Sequence, residues 1–232
     1  MSSLAVISDI HGNIHALEAV WHDIQQRNVD EVICLGDLVG YYCFHNEVVA
    51  FVQENGIPCV LGNHDEAFLN RQGVIERSKT CTRILGWQLE HFRSDLLPYL
   101  QSIPHRITRR WAGKSMLCIH GGLQDPIDEY LTEVSEAYLK DNRFEDDVLI
   151  TGHTHLPGYR KYFNGKMWIN PGSVGQPRDG DNRASYALIH EDWNVEFIRV
   201  PYNYVEVAKA MELHGFDAYI SAPLFSGFKI GA

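Results

Sequence analysis

The chain has 232 residues, 45% hydrophobic and 22% charged, which is the composition of an ordinary folded protein rather than a disordered one. This length suits one large domain, so we expect a single domain over residues 1–232. The formal net charge of -10 argues against a protein that grips duplex nucleic acid by its phosphates, although bound cations can reverse the potential of an acidic site.

The five cysteines are widely spaced and include no Cys-x-x-Cys pair, so we expect free thiols. Near the N-terminus, Asp9 follows a run of only four apolar residues. Such a run is too short for the core of a signal peptide or for a membrane span. The sequence therefore predicts a cytoplasmic protein that does not associate with membranes.

The first sixty residues alternate β-rich runs with amphipathic stretches, a pattern typical of parallel βαβ units. Asn13 is the expected N-cap of the first helix. The predicted strands are 4–8, 31–35 and 57–61, and the predicted helices are 13–27 and 46–54. The loops that leave these strands lie at one sheet edge, where open α/β sheets bind their ligands.

The sequence pattern in the remainder of the chain predicts further helices and strands, and we expect the later strands to favour antiparallel pairing. Asn164-Gly165 indicates a type I′ hairpin turn. The predicted helices are 67–100 with a break at Pro98, 132–140 with Thr132 as a cap, and 205–214 ending at Gly215; the predicted strands are 114–120, 148–151, 159–163, 166–169, 184–190 and 195–200. The expected fold class is α/β: two packed mixed β-sheets flanked by helices in a four-layer α/β/β/α sandwich.

Five short segments share one feature, because each places oxygen or nitrogen ligands directly after an apolar run. Glycine next to nearly every ligand lets the backbone turn sharply and approach a cluster closely. The segments are Ser8-Asp9-Ile10-His11-Gly12, Gly36-Asp37, Gly62-Asn63-His64-Asp65, His120-Gly121-Gly122 and Gly152-His153-Thr154-His155. Each has a plain alternative, a capping turn or a pair of surface histidines, but chance poorly explains all five in order at strand ends.

At these residues the sequence resembles the calcineurin-like metallophosphoesterases, in particular their small bacterial and archaeal phosphodiesterase branch. The pattern of that family is Asp-x-His, Gly-Asp, Gly-Asn-His-Asp/Glu, His and Gly-His-x-His, and every position is filled from Asp9 to His155. The segment 170–175 also resembles the stretch that follows the last ligand pair in that branch. The resemblance covers roughly residues 4–200.

The resemblance implies two divalent transition-metal ions bridged by Asp37. One ion would be bound by Asp9, His11, Asp37 and His155, and the other by Asp37, Asn63, His120 and His153. Neutral imidazoles favour transition metals over magnesium or calcium, so manganese is our first expectation, with iron, nickel, cobalt or zinc also suited to the ligand set. The implied reaction is hydrolysis of a phosphodiester, nucleotide or phosphomonoester by direct attack of a metal-bridging hydroxide.

Other residues of these segments have roles that the sequence leaves open. By resemblance, Asn63 and His64 bind substrate, and His64 stabilises the transition state or protonates the leaving oxygen. Asp65 either orients His64 or, the interpretation we favour, caps a helix starting near Glu66. Arg178 either pairs with the substrate phosphate or is a solvated loop charge. Among the remaining histidines, His45 stands out because its loop follows Asp37.

The residues that follow Gly36-Asp37, the second motif of the family pattern, narrow the substrate class. Protein phosphatases of this superfamily continue it as Gly-Asp-x-Val-Asp-Arg-Gly, whereas here Gly36-Asp37 is followed by Leu-Val-Gly-Tyr. We therefore rank small phosphodiesters or nucleotides above phosphoproteins, keeping dinucleoside polyphosphates and a non-catalytic binding scaffold as alternatives. The apolar stretch 219–228 further suggests an interface for a homo-oligomer.

Overall fold

The structure is a computed structural model that describes residues 2–70 and 79–230. Within those residues, two β-sheets stack face to face. The strands are β1 (Ser3–Ile7), β2 (Glu31–Cys34), β3 (Arg106–Trp111), β4 (Lys114–Ile119), β5 (Val148–Ile150), β6 (Pro157–Lys161), β7 (Met167–Pro171), β8 (Ala184–His190) and β9 (Val195–Val200).

Both sheets are mixed. The first has the order β2-β1-β8-β9, in which β1 and β2 are parallel and the later strands are antiparallel. The second has the order β3-β4-β5-β7-β6, with three parallel central strands and an antiparallel strand at each edge. The expectation that the later strands favour antiparallel pairing holds for β6 with β7 and for β8 with β9, but it is wrong for β4, β5 and β7, which are parallel to one another.

Helices cover the outer faces of the two sheets. They are α1 (Ile14–Gln26), α2 (His45–Glu54), α3 (Asn63–Asn70), α4 (Lys79–His91), a 3₁₀ turn (Ser94–Leu96), α5 (Leu97–Ser102), α6 (Glu136–Asp141), α7 (Tyr204–Leu213) and α8 (Ala218–Ser226). Among the described residues, none of these helices combines the length and apolar character that a membrane-spanning segment needs.

Alternate side chains of β1 enter two different parts of the core, as the two-residue period of a strand requires. Leu4 and Val6 pack against the second sheet. Ala5 and Ile7 pack against the helices on the outer face of the first sheet, α1 and α2 among them. The second sheet in turn packs its outer face against α6. The predicted α/β/β/α layering is therefore confirmed.

The predicted N-cap of α1 is confirmed and also ties the helix to a distant loop. The Asn13 side-chain oxygen accepts a hydrogen bond from the backbone N–H of Ala16 at 3.2 Å, and its Nδ2 donates to the carbonyl of Gly175 at 3.0 Å. This second bond fixes the segment after β7 against the start of α1. No disulfide forms among the five cysteines, all buried and within the described residues, so the expectation that they do not pair is also confirmed.

Two sequence-predicted elements are wrong in type. The predicted strand 57–61 makes one bridge in the described part of the chain, from Cys59 to Cys34, through hydrogen bonds of Cys34 with Pro58 and Val60, and the chain enters α3 at Asn63 before the pairing can continue. In the loop between β6 and β7 only Gly165 has a positive φ, of 81°. The turn is therefore not type I′, which needs two such residues.

Three helix ends also differ from prediction. Pro98 lies in the first turn of α5, where a missing N–H costs nothing, so the helix break precedes it. The cap of α6 is Ser135, whose hydroxyl accepts from the backbone N–H of Tyr138, and not Thr132. The start of α3 is Asn63, which places two candidate site residues in its first turn instead of ahead of it. Strand β3 and helix α8 were not predicted.

Candidate metal centre

The candidate ligands follow the carboxyl ends of strands from both sheets. Asp9 comes after β1, Asp37 after β2 and His120 directly after β4, while His153 and His155 follow β5. Since the two sheets pack face to face, these loops meet at one rim of the sandwich. The predicted convergence at the sheet edge therefore brings together residues that are far apart in the sequence.

The backbone is strained at most of these positions. Five non-glycine residues of the rim have left-handed φ angles between 52° and 66°: Asp9, His11, Asp37, His153 and His155. Such a conformation costs an L-residue roughly 1–2 kcal/mol. Strain of this kind persists only where the surrounding structure enforces it, and it is concentrated at functional sites.

Three buried imidazoles are oriented by backbone carbonyls. His11 Nδ1 lies 3.1 Å from the carbonyl oxygen of Val39, His120 Nδ1 lies 2.7 Å from that of Leu35, and His155 Nδ1 lies 2.5 Å from that of Gln176. Because a carbonyl oxygen only accepts, each Nδ1 carries a proton. In the neutral ring, Nε2 is then left as a lone pair, the form in which histidine binds a metal.

These Nε2 atoms face carboxylate oxygens and one another. His11 Nε2 lies 3.1 Å from His155 Nε2, and Asp9 Oδ1 lies 3.3 Å from His155 Nε2. Asp37 Oδ2 is 3.5 Å from His11 Nε2 and 3.4 Å from His120 Nε2. Asp37 therefore stands between one group formed with His11 and another formed with His120.

The ligand atoms are close enough to share cations. Three groups have their ligand atoms within 4.8 Å of one another: Asp9, His11 and His155; His11, Asp37 and His64; and Asp37, His120 and His153. The amide oxygen of Asn63 lies 3.0 Å from His120 Nε2, at the edge of the last group. The geometry places His64 as near to the cluster as the candidate ligands.

The donor set fits bound cations. Asp9 Oδ1 is fully buried and has no hydrogen-bond donor, although an unsatisfied buried carboxylate oxygen is costly. It faces imidazole lone pairs that cannot donate to it. A cation among these atoms would satisfy all of them at once, and carboxylate, amide and imidazole together suit a divalent transition metal.

Burial and charge act oppositely on the acidic groups. Burial raises the pKa of Asp9 to about 7, and neighbouring Asp37 adds to this effect. Although burial would also raise the pKa of Asp37, the surrounding histidines, His120 first, hold it well below its usual range. Asp37 therefore carries the stable negative charge of the centre.

Burial and neighbouring charge also determine the pKa values of the histidines, and the histidines fall into two groups. Burial lowers the pKa of His11 and of His155, which keeps these imidazoles neutral and able to bind a metal. Burial acts against a charged His120 too, but the Asp37 carboxylate outweighs it and raises the pKa of His120 to about 10. Without a cation, a proton on His120 balances the charge of Asp37.

Helix α3 presents His64 to this cluster. The backbone N–H of His64 donates to Asp37 Oδ1 at 2.8 Å, so Asp37 satisfies one of the unpaired amides of the helix N-terminus. His64 as a whole residue is 6% exposed, and its ring meets the ring of His11 edge-on at 4.7 Å. His64 therefore borders the centre and is almost completely buried.

Asp65 holds the loop after β2 in place, a role that the sequence did not indicate. Its Oδ1 accepts from the backbone N–H groups of Leu38 and Val39 at 2.9 and 3.0 Å, and its Oδ2 accepts from that of Gly62 at 3.1 Å. The expectation that Asp65 caps a helix starting near Glu66 is wrong, because α3 already begins at Asn63. Both carboxylate oxygens bind backbone amides rather than the His64 ring.

Arg178 lies against the centre and is partly buried, which favours the interpretation as a substrate-binding residue over that of a solvated loop charge. Its backbone N–H donates to the carbonyl of His155 at 3.3 Å, and its Nη2 donates to the hydroxyl of Tyr41 at 3.2 Å. Sequence reasoning missed Tyr41, although its place in the loop after Asp37 was a usable signal. His45 is buried between the rings of Trp87 and Phe92 and joins none of the ligand groups.

Comparison with known proteins agrees with this geometry. Residues 2–194 match the family model of the calcineurin-like phosphoesterase superfamily domain. The uncharacterized protein MJ0912 of Methanocaldococcus jannaschii is 34% identical over 242 residues, covering 97% of this chain and 98% of that protein. The phosphodiesterase YfcE of Escherichia coli is 28% identical over 193 residues, covering 83% of this chain and 89% of YfcE.

A solved structure extends the similarity to the fold. The crystal structure of a metallophosphoesterase from Sphaerobacter thermophilus matches with a TM-score of 0.83 at 32% identity, covering 97% of this chain and 99% of that chain. The family match spans well over half of the sequence, and the sheet rim carries the ligand types that such enzymes need. The chain therefore belongs to the calcineurin-like phosphoesterase superfamily and is a metal-dependent phosphoesterase.

Proposed function

We propose that this enzyme hydrolyses small phosphodiesters at a centre of two divalent metal ions, with manganese as the first candidate. One ion would be held by Asp9, His11, Asp37 and His155, and the other by Asp37, Asn63, His120 and His153. The observation that carries the proposal is the position of Asp37 Oδ2, which lies within 3.5 Å of imidazole nitrogens from both groups.

Side chains of the protein would carry out the other parts of the reaction. When bound, the two ions would supply an activated water and positive charge for the phosphoryl oxygens. His64, bordering the centre and 6% exposed, is placed to contact the substrate phosphate and to give a proton to the leaving oxygen. Asn63 would bind both metal and substrate, and Arg178 would supply a fixed positive charge for the phosphorylated substrate.

The preference for a diester rests on the loop after Asp37 and on one relative. The loop continues with Leu38, Val39, Gly40 and Tyr41 and lacks the added acidic and basic residues of protein phosphatases. YfcE, one of the similar proteins, is named a phosphodiesterase. Phosphoproteins and dinucleoside polyphosphates rank lower as substrates.

A kinetic survey tests this proposal. The purified chain, loaded with manganese, is assayed on bis(p-nitrophenyl) phosphate, p-nitrophenyl phosphate and a phosphopeptide. We expect the largest kcat/KM for the diester. A strong preference for the phosphopeptide would overturn the ranking, and no activity together with less than one bound metal ion per chain would favour a non-catalytic scaffold.

Replacing His64 separates a catalytic role from a metal-ligand role. We expect His64→Asn to lower kcat by about 10²- to 10⁴-fold, the usual contribution of a general acid or base, with metal content unchanged. His105→Asn, at a half-exposed histidine near Glu66, serves as the control. Loss of bound metal in His64→Asn would instead make His64 a ligand.

A further inference from the structure

Arg178 differs from the other arginines around its loop in having no carboxylate partner. Arg183 pairs with Asp181 at 2.6 Å, and Arg199 pairs with Asp179. Among the described residues, the guanidinium of Arg178 contacts only neutral groups.

The contacts of Arg178 leave part of its charge unsatisfied. Its Nη2 donates to the Tyr41 hydroxyl and to Gln176 Oε1, both at 3.2 Å, while its Nε is buried without an acceptor. The charge is partly buried and makes no direct ion pair, although it acts through space on the Asp9 carboxylate and lowers the pKa of that group; a partly buried charge without a direct counterion is costly. The fold also places this cation beside a metal centre, where it opposes metal binding. Both features are explained if an anion binds to Arg178 when the enzyme is at work.

Tyr41 holds Arg178 next to the histidines. The ring of Tyr41 lies 4.5 Å from that of His11 and 4.9 Å from that of His64, and the Arg178 guanidinium carbon is 5.9 Å from its centroid. Tyr41 has a φ of 38°, a strained conformation for a bulky residue. Strain at such a position is often maintained for the placement of a side chain at a functional site.

A small cavity is lined by Tyr41 and Gln176, the two residues whose side chains accept hydrogen bonds from Arg178. It has a volume of about 170 Å³, and its described lining contains no acidic residue. The lining residues are Tyr41, Thr80, Gln176, Tyr219, Lys229 and Ile230. A pocket for a drug-sized ligand measures roughly 300–1,000 Å³, so this one suits a compact group. Lys229 adds a second positive charge, and Thr80 and Gln176 can donate hydrogen bonds.

We propose that Tyr41, Arg178 and Lys229 form a second phosphate-binding subsite beside the metal centre. The preferred substrates would then carry a phosphate group in addition to the one that reacts. This inference rests on the proposed function, since it assumes that the reacting phosphate lies at the metal centre next to His64. It narrows the substrate class from small phosphodiesters to those that bear a further phosphate.

Binding of matched anions tests the subsite. A short series of alkane-α,ω-diyl bisphosphates is compared with alkyl monophosphates of the same length, by isothermal titration into the manganese-loaded enzyme. We expect at least one bisphosphate to bind at least about tenfold more tightly than its monophosphate, because charge-assisted bonds to Arg178 add to those at the metal centre.

Variants assign this advantage to the proposed residues. In Arg178→Met and Lys229→Met we expect the advantage to shrink, below about threefold in the arginine variant, whereas Arg178→Lys should keep part of it. Arg183→Met removes an arginine that already has a partner in the same loop, and should keep the full advantage. Thermal denaturation of each variant checks that it is folded.

The subsite and the proposed function can fail separately. If no bisphosphate in the series binds more tightly than its monophosphate, or if Arg178→Met keeps the full advantage, the subsite does not exist. Hydrolysis of bis(p-nitrophenyl) phosphate by the same preparation would still support the proposed function. A protein that binds the bisphosphate through Arg178 but hydrolyses no phosphodiester would contradict the function and leave the subsite supported.

Discussion

Gly40 shows how closely the backbone approaches the metal centre. A Cβ atom built on Gly40 would lie 2.5 Å from His64 Nδ1 and 3.0 Å from His11 Nδ1, and the φ of this residue is 101°. Only glycine leaves room for both rings. The sequence shows a glycine here, but the reason for it lies in residues that are distant along the chain.

Gly40→Ala should therefore damage catalysis more than stability. A Cβ in contact with His64 must displace its ring, and a displacement of about 1 Å at a catalytic group can cost roughly a hundredfold in rate. Gly113→Ala is the matched control, because Gly113 also has a positive φ, 80°, but nothing within 4 Å of its Cβ position. Both variants should lose about 1–2 kcal/mol of unfolding free energy from the backbone conformation, whereas only Gly40→Ala should lose activity. Equal activity in the two variants would contradict the placement of His64.

His45 is a buried histidine outside the metal centre. Its Nδ1 lies 3.1 Å from the carbonyl oxygen of Cys43, while its Nε2 is buried without a partner. Burial lowers its pKa from 6.5 to about 4. The folded protein therefore excludes a proton that the unfolded chain binds.

The stability of the metal-free protein should accordingly fall between pH 6.5 and pH 4. Above this range His45 is neutral in both states, and below it both states bind the proton, so this residue adds no further change. The loss attributable to His45 should be on the order of 3 kcal/mol, since each pKa unit corresponds to about 1.4 kcal/mol. Urea unfolding in EDTA measures it, with His45→Phe expected to flatten the pH profile and the exposed His22→Phe as the control. An unchanged slope in His45→Phe would show that other groups cause the loss.

At the scale of elements, the start of α3 links two loops of the centre. Asp65 in its first turn accepts from the amides of Leu38, Val39 and Gly62, and Asp37 accepts from that of His64. Each segment therefore supplies a carboxylate that accepts hydrogen bonds from backbone amides of the other: Asp65 of the helix N-terminus binds the loop after β2, and Asp37 of that loop binds the helix N-terminus. Moving either one would move the candidate ligands Asp37 and Asn63 together.

Asp65→Asn tests this link. The amide can keep one accepting oxygen but presents a donor to a backbone N–H, so we expect a loss of about 1–3 kcal/mol in unfolding free energy. We also expect weaker manganese binding, because the loop that carries Asp37 loses its support. Glu66→Gln makes the same chemical change in the same helix turn at a more exposed residue, and should leave both quantities nearly unchanged. Equal losses of unfolding free energy and of manganese affinity in the two variants would contradict this reciprocal hydrogen bonding.

The secondary-structure elements also show which features of the fold and of the site the sequence could predict. The motifs at the strand ends predicted that the candidate ligands meet at one rim of the sheets, because an apolar run followed by a ligand residue is a local feature of the sequence. Strand β3 could have been found, since the apolar residues Ile107 and Trp111 lie on its less exposed face and alternate with Arg106, Thr108 and Arg110 on its exposed face. The position of Tyr41 in the loop after Asp37 could have marked it as a candidate, but the hydrogen-bond partners of Asp65 and Tyr41, which are Val39 and Arg178, could not be predicted, because they depend on contacts between distant segments. The site residues remain predictions, although the structure brings them together.

At the scale of the whole molecule, the centre joins the two sheets. Asp9 and Asp37 follow strands of the first sheet, whereas His120, His153 and His155 follow strands of the second. A cation bound among them would cross-link the sandwich at its rim. Binding to the native state alone stabilises a protein by about 2.7 kcal/mol when the free ligand is at a hundred times its Kd.

Manganese should therefore raise the Tm of the protein, and EDTA should lower it. Asp9→Asn and His120→Asn, each removing a ligand from a different sheet, should both reduce this shift. Differential scanning fluorimetry across a manganese titration measures the effect. If manganese leaves the Tm unchanged while the protein is folded, the cations do not connect the two sheets.

The number of metal ions per chain tests the central claim most directly. Elemental analysis of the manganese-loaded protein after removal of free metal should give two ions per chain, and Asp37→Asn should retain at most one, since Asp37 stands between both groups. A folded protein that binds less than one ion, or an Asp37→Asn variant that still binds two, would contradict the bridged centre.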